Sequence, residues 1–227
     1  MSVSSVTNLD GERKPRKLPA RELDAAELRV LGSLMEKQLA TPEYYPLTLN
    51  ALVAACNQKS NREPVMELSE SDVQRALDRL QDEKLVWKVM GGRAVRYDHN
   101  LDREWQLDRR SKALLTLLFL RGAQTAGELR GRSDRLHEFE SIGEVEETLQ
   151  WMSAPPSPFV RELARRPGQK EARWMHLLGG AVADAPPEPE PAAAAHGEPL
   201  SARVARLEEQ LAQVVNDLRE LKKKLGE

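Results

Sequence analysis

Between Ser69 and Tyr97 the hydrophobic pattern changes period twice. Val73, Ala76, Leu77 and Leu80 recur at i, i+3, i+4 and i+7, which places them on one face of a helix. Ser69 is a good N-cap, and Asp72 three residues on can reach back to it. From Leu85 to Met90 the chain turns β-branched and aromatic. Gly91-Gly92 can adopt the positive φ of a tight hairpin turn, and Arg93 to Tyr97 alternates. The segment is predicted as helix, strand, glycine turn, strand.

The same pattern returns downstream. Ser69, Asp72, Val73, Leu77 and Leu80 map onto Ser141, Glu144, Val145, Leu149 and Met152 at an offset of 72 residues. Upstream, Asp24, Val30, Leu31, Leu34 and Thr41 map onto Asp108, Leu114, Leu115, Leu118 and Thr125 at 84, so the first copy carries the longer connection between Thr41 and Ser69. In the first copy a helix runs from Asp24 to about Leu39 and stops at Thr41-Pro42. A second helix, capped by Thr48, turns Leu49, Leu52, Val53 and Cys56 inward. In the second copy Asp108 to Arg121 is apolar nearly all round and should lie centrally. Gly122 closes it, and Thr125 to Glu128 opens a short helix. The second hairpin pairs Phe159–Leu163 with Glu171–Leu177 through Pro167-Gly168. A three-helix unit ending in a hairpin is a winged helix. The predicted fold is mainly α with small β-hairpin wings (α+β), as tandem winged-helix domains at 19–105 and 106–180.

The flanks read differently. Residues 1–18 are polar, with a basic cluster at Arg13, Lys14, Arg16 and Lys17, and are expected to be disordered. Residues 181–199 are rich in Ala, Pro and Glu and should form an extended linker. In 200–227, Leu200, Val204, Leu207, Leu211, Val214, Leu218, Leu221 and Leu225 alternate spacings of four and three, a heptad seam. With Val204 at position a, Arg203 faces Glu208 and Asp217 faces Lys222 across a parallel dimer. A coiled-coil homodimer is predicted, parallel weakly over antiparallel, against the alternative of an amphipathic helix docked on the body.

Composition narrows the chemistry. A net charge of −2 provides no global basic field for nucleic acid, so local distribution must carry that reading. The single cysteine, Cys56, excludes an intramolecular disulfide and fits a reducing cytoplasm. It is expected in the core, unreactive. The four histidines are not spaced as metal ligands. The longest apolar run, Ala113 to Leu120, is too short to span a bilayer. With no phosphate loop, ligand-spaced His/Cys set or nucleophile motif, the chain reads as a non-enzyme without cofactor.

Candidate binding residues follow from the winged-helix analogy, in which the third helix enters the major groove and the wing touches the backbone. On the first third helix, Gln74, Arg75 and Arg79 can address bases or phosphates, though Asp78 and Asp82 share that face. The second third helix is acidic, with Glu144, Glu146 and Glu147, and should not enter a groove. Wing cations gather at Arg93 and Arg96 in the first hairpin and at Arg161, Arg165, Arg166, Lys170 and Arg173 in the second. Arg121, Arg130, Arg132 and Arg135 add to the latter. The alternative is a solvated hairpin with salt bridges to Glu162 and Glu171. The loop Asn57, Gln58, Lys59, Ser60, Asn61 and Arg62 has six polar residues suited to phosphate or peptide contact, or to a solvated connection.

Several long motifs also stand together: Glu36-Lys37, Thr41 through Asn50, Ala55 through Arg62, Leu120 through Thr125 with Gly127 through Arg130, and Pro167 through Glu171. In these the chain, from about Leu23 to Gly180, resembles the uncharacterised YceH family of bacterial proteins. The resemblance implies a tandem winged-helix fold and supplies no substrate, cofactor or catalytic residue. The resulting expectation is a cytoplasmic, dimeric DNA-binding regulatory protein that contacts double-stranded DNA and no membrane. A protein-interaction scaffold is the alternative.

Overall fold

The first helix begins where sequence chemistry places it. Asp24 accepts from the Glu27 N–H and Glu27 from the Asp24 N–H, a closed capping box that opens α1 (Ala25–Ala40). The computed structural model describes residues 18–19, 21–91, 94–165 and 171–179. The basic tail, the linker and the heptad seam therefore lie outside the described residues, apart from Leu18.

A 3-10 turn at Pro42–Tyr44 stops α1 and leads to β1 (Leu47–Thr48). Thr48 then caps α2 (Leu49–Cys56), and Ser69 and Asp72 box the start of α3 (Glu70–Asp82). Strands β2 (Val86–Gly91) and β3 (Ala94–His99) form the hairpin, with Val86 opposite His99 and Gly91 opposite Ala94. β1 adds to β3, so this antiparallel sheet has the order β1-β3-β2. A short α4 (Leu101–Glu104) joins it to α5 (Arg109–Arg121). Then come α6 (Ala126–Ser133), boxed by Thr125 and Glu128, α7 (Ile142–Ser153), and a two-stranded sheet of β4 (Val160–Glu162) with β5 (Trp174–His176). The fold is mixed α+β, helices with small antiparallel sheets. The second hairpin is shorter than its sequence suggests, three residues in each strand.

The two halves of the body share one core because α1 and α5 pack on each other. Gly32 permits the approach: a Cβ there would lie 2.8 Å from Leu120 Cδ2 and 3.1 Å from Phe119 Cβ. α5 is buried along Lys112–Leu120, as its all-round apolar sequence requires. Trp105 packs on Phe119 (6.4 Å) and Phe159 (5.5 Å), joining α5 to the second hairpin. The Leu23 N–H donates to the Leu178 carbonyl at 2.8 Å, which ties the entry of α1 to the end of β5.

Candidate functional site

The predicted nucleic-acid residues fall into two groups. On the first copy, Arg75 is ion-paired with Asp72, and Arg79 with Asp24 and with Glu27 at 3.3 Å. Gln74 donates to Asp78 (2.7 Å) and accepts from the Tyr97 hydroxyl (3.1 Å). Arg96 donates to the Pro46 carbonyl at 2.7 Å, securing β3 beside the turn into β1. On the second copy, Arg173 donates to the Ala123 carbonyl (2.8 Å) and pairs with Glu128 (3.1 Å). Arg161 and Arg165 are exposed. Arg93, Arg166 and Lys170 lie outside the described residues.

The polar loop after α2 is held as a joint. Arg62 is 5% exposed and grips Glu36 with two nitrogens (3.1 and 2.6 Å), while its Nε donates to the Ala55 carbonyl at 3.2 Å. Burial acts to raise the Glu36 carboxyl, but the Arg62 hydrogen bonds and charge hold it below the usual carboxylate range. Asn57 clamps Leu68, donating to its carbonyl and accepting from its N–H, both at 2.8 Å. Gln58 accepts from Arg62 at 3.1 Å and from Lys37 at 3.4 Å. Asn61, with φ of 58°, accepts from Arg121 at 3.0 Å. Only Lys59 and Ser60 of the six are left exposed without such a contact among the described residues. Sequence reasoning missed Arg29, which is buried in α1 and donates to the carbonyls of Cys56 (3.0 Å) and Pro64 (2.6 Å). Its signal was a lone cation between Leu28 and Val30 on an apolar face. Cys56 is fully buried, and burial pushes its thiol up to about 11, which leaves it un-ionised at neutral pH.

A second polar cluster was not anticipated. It joins α1, β3, α4 and α5. Tyr45 donates to Asp98 (2.6 Å), and its oxygen accepts from the His99 N–H (2.9 Å). Lys112 donates to both Gln38 and Asp102 at 2.6 Å. The same Gln38 oxygen lies 3.0 Å from His99 Nε2, and His99 Nδ1 accepts from the Leu101 N–H at 3.3 Å. Since Gln38 offers an acceptor there, His99 carries its proton on Nε2. Burial lowers its pKa to about 4, so it is neutral.

The surfaces divide by character. α3 carries Glu70, Asp72, Asp78 and Asp82 beside its two arginines, and α7 has Glu144, Glu146 and Glu147 with no Lys or Arg. A cleft of about 240 Å³ between α6, α7 and the second hairpin is lined by Ile142, Glu146, Glu162, Arg165, Glu171 and Trp174 among others. The first hairpin exposes apolar groups: Trp87 is 45%, Met90 84% and Val95 39% accessible. Among the described residues no cluster of three or more His, Cys, Asp or Glu is arranged to hold a metal ion, and no helix is long and apolar enough to cross a membrane.

With this geometry in view, the comparisons place the chain in a family. The family model described as "Protein of unknown function, DUF480" matches residues 23–169. The UPF0502 protein of Chromobacterium violaceum is 51% identical over 165 residues, covering 72% of this chain and 75% of that protein. The UPF0502 protein of Serratia proteamaculans is 46% identical over 207 residues, covering 88% and 95%. The chain belongs to this DUF480 (UPF0502) family, the YceH-type family that its motifs resemble, whose function is unknown.

Proposed function

We propose that this chain is a non-enzymatic, tandem winged-helix interaction protein of the cytoplasm whose main contacts are with protein rather than with a DNA duplex. The observation that supports this is the charge arrangement of the two third helices. On α3 both arginines already face carboxylates of their own fold, and α7 has no cation. Each carboxylate brought close to a phosphate costs about 1 kcal/mol even in water. Neither helix offers the uncompensated cations that major-groove entry requires. The first hairpin meanwhile exposes Trp87, Met90 and Val95, side chains suited to a protein surface and not to a phosphate backbone.

Titration of a fluorescent duplex at about 50 and about 200 mM salt tests the reading, since phosphate contacts are strongly salt-dependent. Expected is no salt-sensitive binding. Salt-sensitive binding that weakens when Arg165, Arg166 and Lys170 are neutralised would restore the DNA-binding reading, with the second hairpin as its contact. Dimerisation through residues 200–225 belongs to the same proposal, since a heptad seam would present two bodies to one partner. Light scattering on the full chain and on a chain ending at Gly180 should differ in mass ratio; the same oligomeric state in both removes the seam as the cause.

A further inference from the structure

Three segments far apart in sequence meet at the turn between α5 and α6. The Glu63 N–H donates to the Leu120 carbonyl at 2.8 Å, and Gln124 exchanges two backbone hydrogen bonds with Trp174 at 3.1 and 2.7 Å. The turn is therefore held by backbone from both sides. Gly122 shapes it with φ 72° and ψ −150°, a region that side chains disfavour, and a Cβ at that position would meet nothing within 4 Å.

The side chains gathered there carry unequal charge. Glu128 is shared between Arg173 at 3.1 Å and Arg132 at 3.7 Å. Arg132 also donates to the Gln124 amide oxygen at 2.7 Å. Among the described residues the one acceptor of Arg121 is neutral, the Asn61 amide oxygen at 3.0 Å, and its buried Nε has no partner. Among the described residues no carboxylate lies within 4.0 Å of the Arg121 guanidinium. Burial, and then the like charge of Arg132, lower the Arg121 pKa from its ordinary value, with Glu63 and Glu128 only partly opposing. A partly desolvated guanidinium beside another cation, with no carboxylate in direct contact among the described residues, is favourably placed to take an added anion.

We infer that the α5–α6 turn receives a single oxyanion, a carboxylate or phosphate group, bound by Arg121 with Arg132 and Arg173 beside it. A guanidinium presents paired donors to such a group and gains most where water is partly excluded. The neighbouring carboxylates set the limit. Glu63 and Glu128 both act on the Arg121 charge, so a continuous phosphate backbone laid along the turn would meet repulsion from both. The inference stands on the Arg121 geometry and does not depend on whether the macromolecular partner is protein.

Titrating the full chain with inorganic phosphate, and separately with succinate, at ionic strength fixed with chloride tests it. The readout is the Arg121 side-chain Nε–H signal by NMR, together with the thermal midpoint. A saturable response to either anion supports the site, and the preferred anion identifies tetrahedral or planar chemistry. Arg121→Gln should weaken binding at least about tenfold, the effect of losing one charged hydrogen-bonding partner. Asn61→Asp is the sharper variant, because it supplies Arg121 with a carboxylate from within and keeps a residue that tolerates the left-handed backbone. It should raise the midpoint in anion-free buffer and abolish the response to added anion. An unsaturating response in the wild type, or a response that Asn61→Asp leaves intact, would overturn the inference.

Discussion

The two segments that the sequence pattern aligns carry cations at matching positions in different electrostatic settings. Lys37 near the end of α1 and Arg121 at the end of α5 correspond at the 84-residue offset. Beside Lys37 stands Glu36, which pairs with it at 3.4 Å and also holds Arg62. The position equivalent to Glu36 in the second copy is Leu120, 1% exposed, and Arg121 is left with an amide. The exchange of carboxylate for leucine, together with the longer connection that supplies Arg62, separates the closed joint at Glu36 from the turn at Arg121.

The largest expected effect comes from making the first copy resemble the second. Glu36→Gln leaves Arg62 buried without a counter-charge, a loss of about 3–5 kcal/mol for a buried pair broken on one side. Chemical denaturation of the full chain measures it, and a change below about 1 kcal/mol, the scale of a surface pair, would mean that the joint is not electrostatic. The double variant Glu36→Gln with Arg62→Met should recover part of the loss, since no buried charge then remains.

Acid sharpens the comparison through one buried histidine in each copy. His99 and His176 both have pKa values lowered by burial to about 4. Between about pH 6.5 and pH 4 the unfolded chain takes up these protons and the folded chain does not. Stability must therefore fall as pH falls through that window and level off, for these groups, below it. The slope is at most about 1.4 kcal/mol per pH unit for each histidine. His99→Gln and His176→Phe should each flatten it. The copies differ here too: His99 satisfies both ring nitrogens, whereas His176 Nδ1 is buried without a partner and its ring packs edge-on against Phe119 at 5.0 Å. His176→Phe should accordingly be tolerated better at pH 7 than His99→Leu. Parallel unfolding curves for wild type and both variants between pH 7 and 4 would contradict the assignment.

Most of the architecture was legible because it is written in local chemistry. The capping residues Asp24, Ser69, Asp108, Thr125 and Ser141 all sit where helices begin, and the period-3.6 faces of α3 and α7 are buried as their spacing implies, except that Ile142, which opens the apolar run of α7 in sequence, is 47% exposed in the helix's first turn. β1 was not legible, because a two-residue strand at Leu47–Thr48 exists only through its register with Tyr97 and Arg96. The four-residue α4 lacks a side-chain cap and any apolar period. The electrostatic partners were the least legible feature. Arg79 reaches Asp24 across 55 residues and Arg62 reaches Glu36 across 26, and nothing in the local sequence marks either pair. An arginine on an outward helix face looks the same in sequence whether it meets solvent, a phosphate or a carboxylate of its own fold.

Freeing the α3 arginines shows whether their internal pairing is what keeps α3 from binding DNA. Asp24→Asn with Asp72→Asn removes the carboxylates nearest Arg79 and Arg75, leaving Arg79 only its 3.3 Å contact with Glu27, and keeps an amide oxygen as acceptor at the N-cap of α1 and at the third residue of α3. Both proteins are titrated with the same fluorescent duplex at about 50 mM salt, where phosphate contacts are strong. If internal pairing withholds these cations, the wild type shows no detectable salt-sensitive binding and the double variant gains it. Salt-sensitive binding by the wild type at the strength of the double variant would contradict this reading, because internal pairing would then not be what withholds these cations.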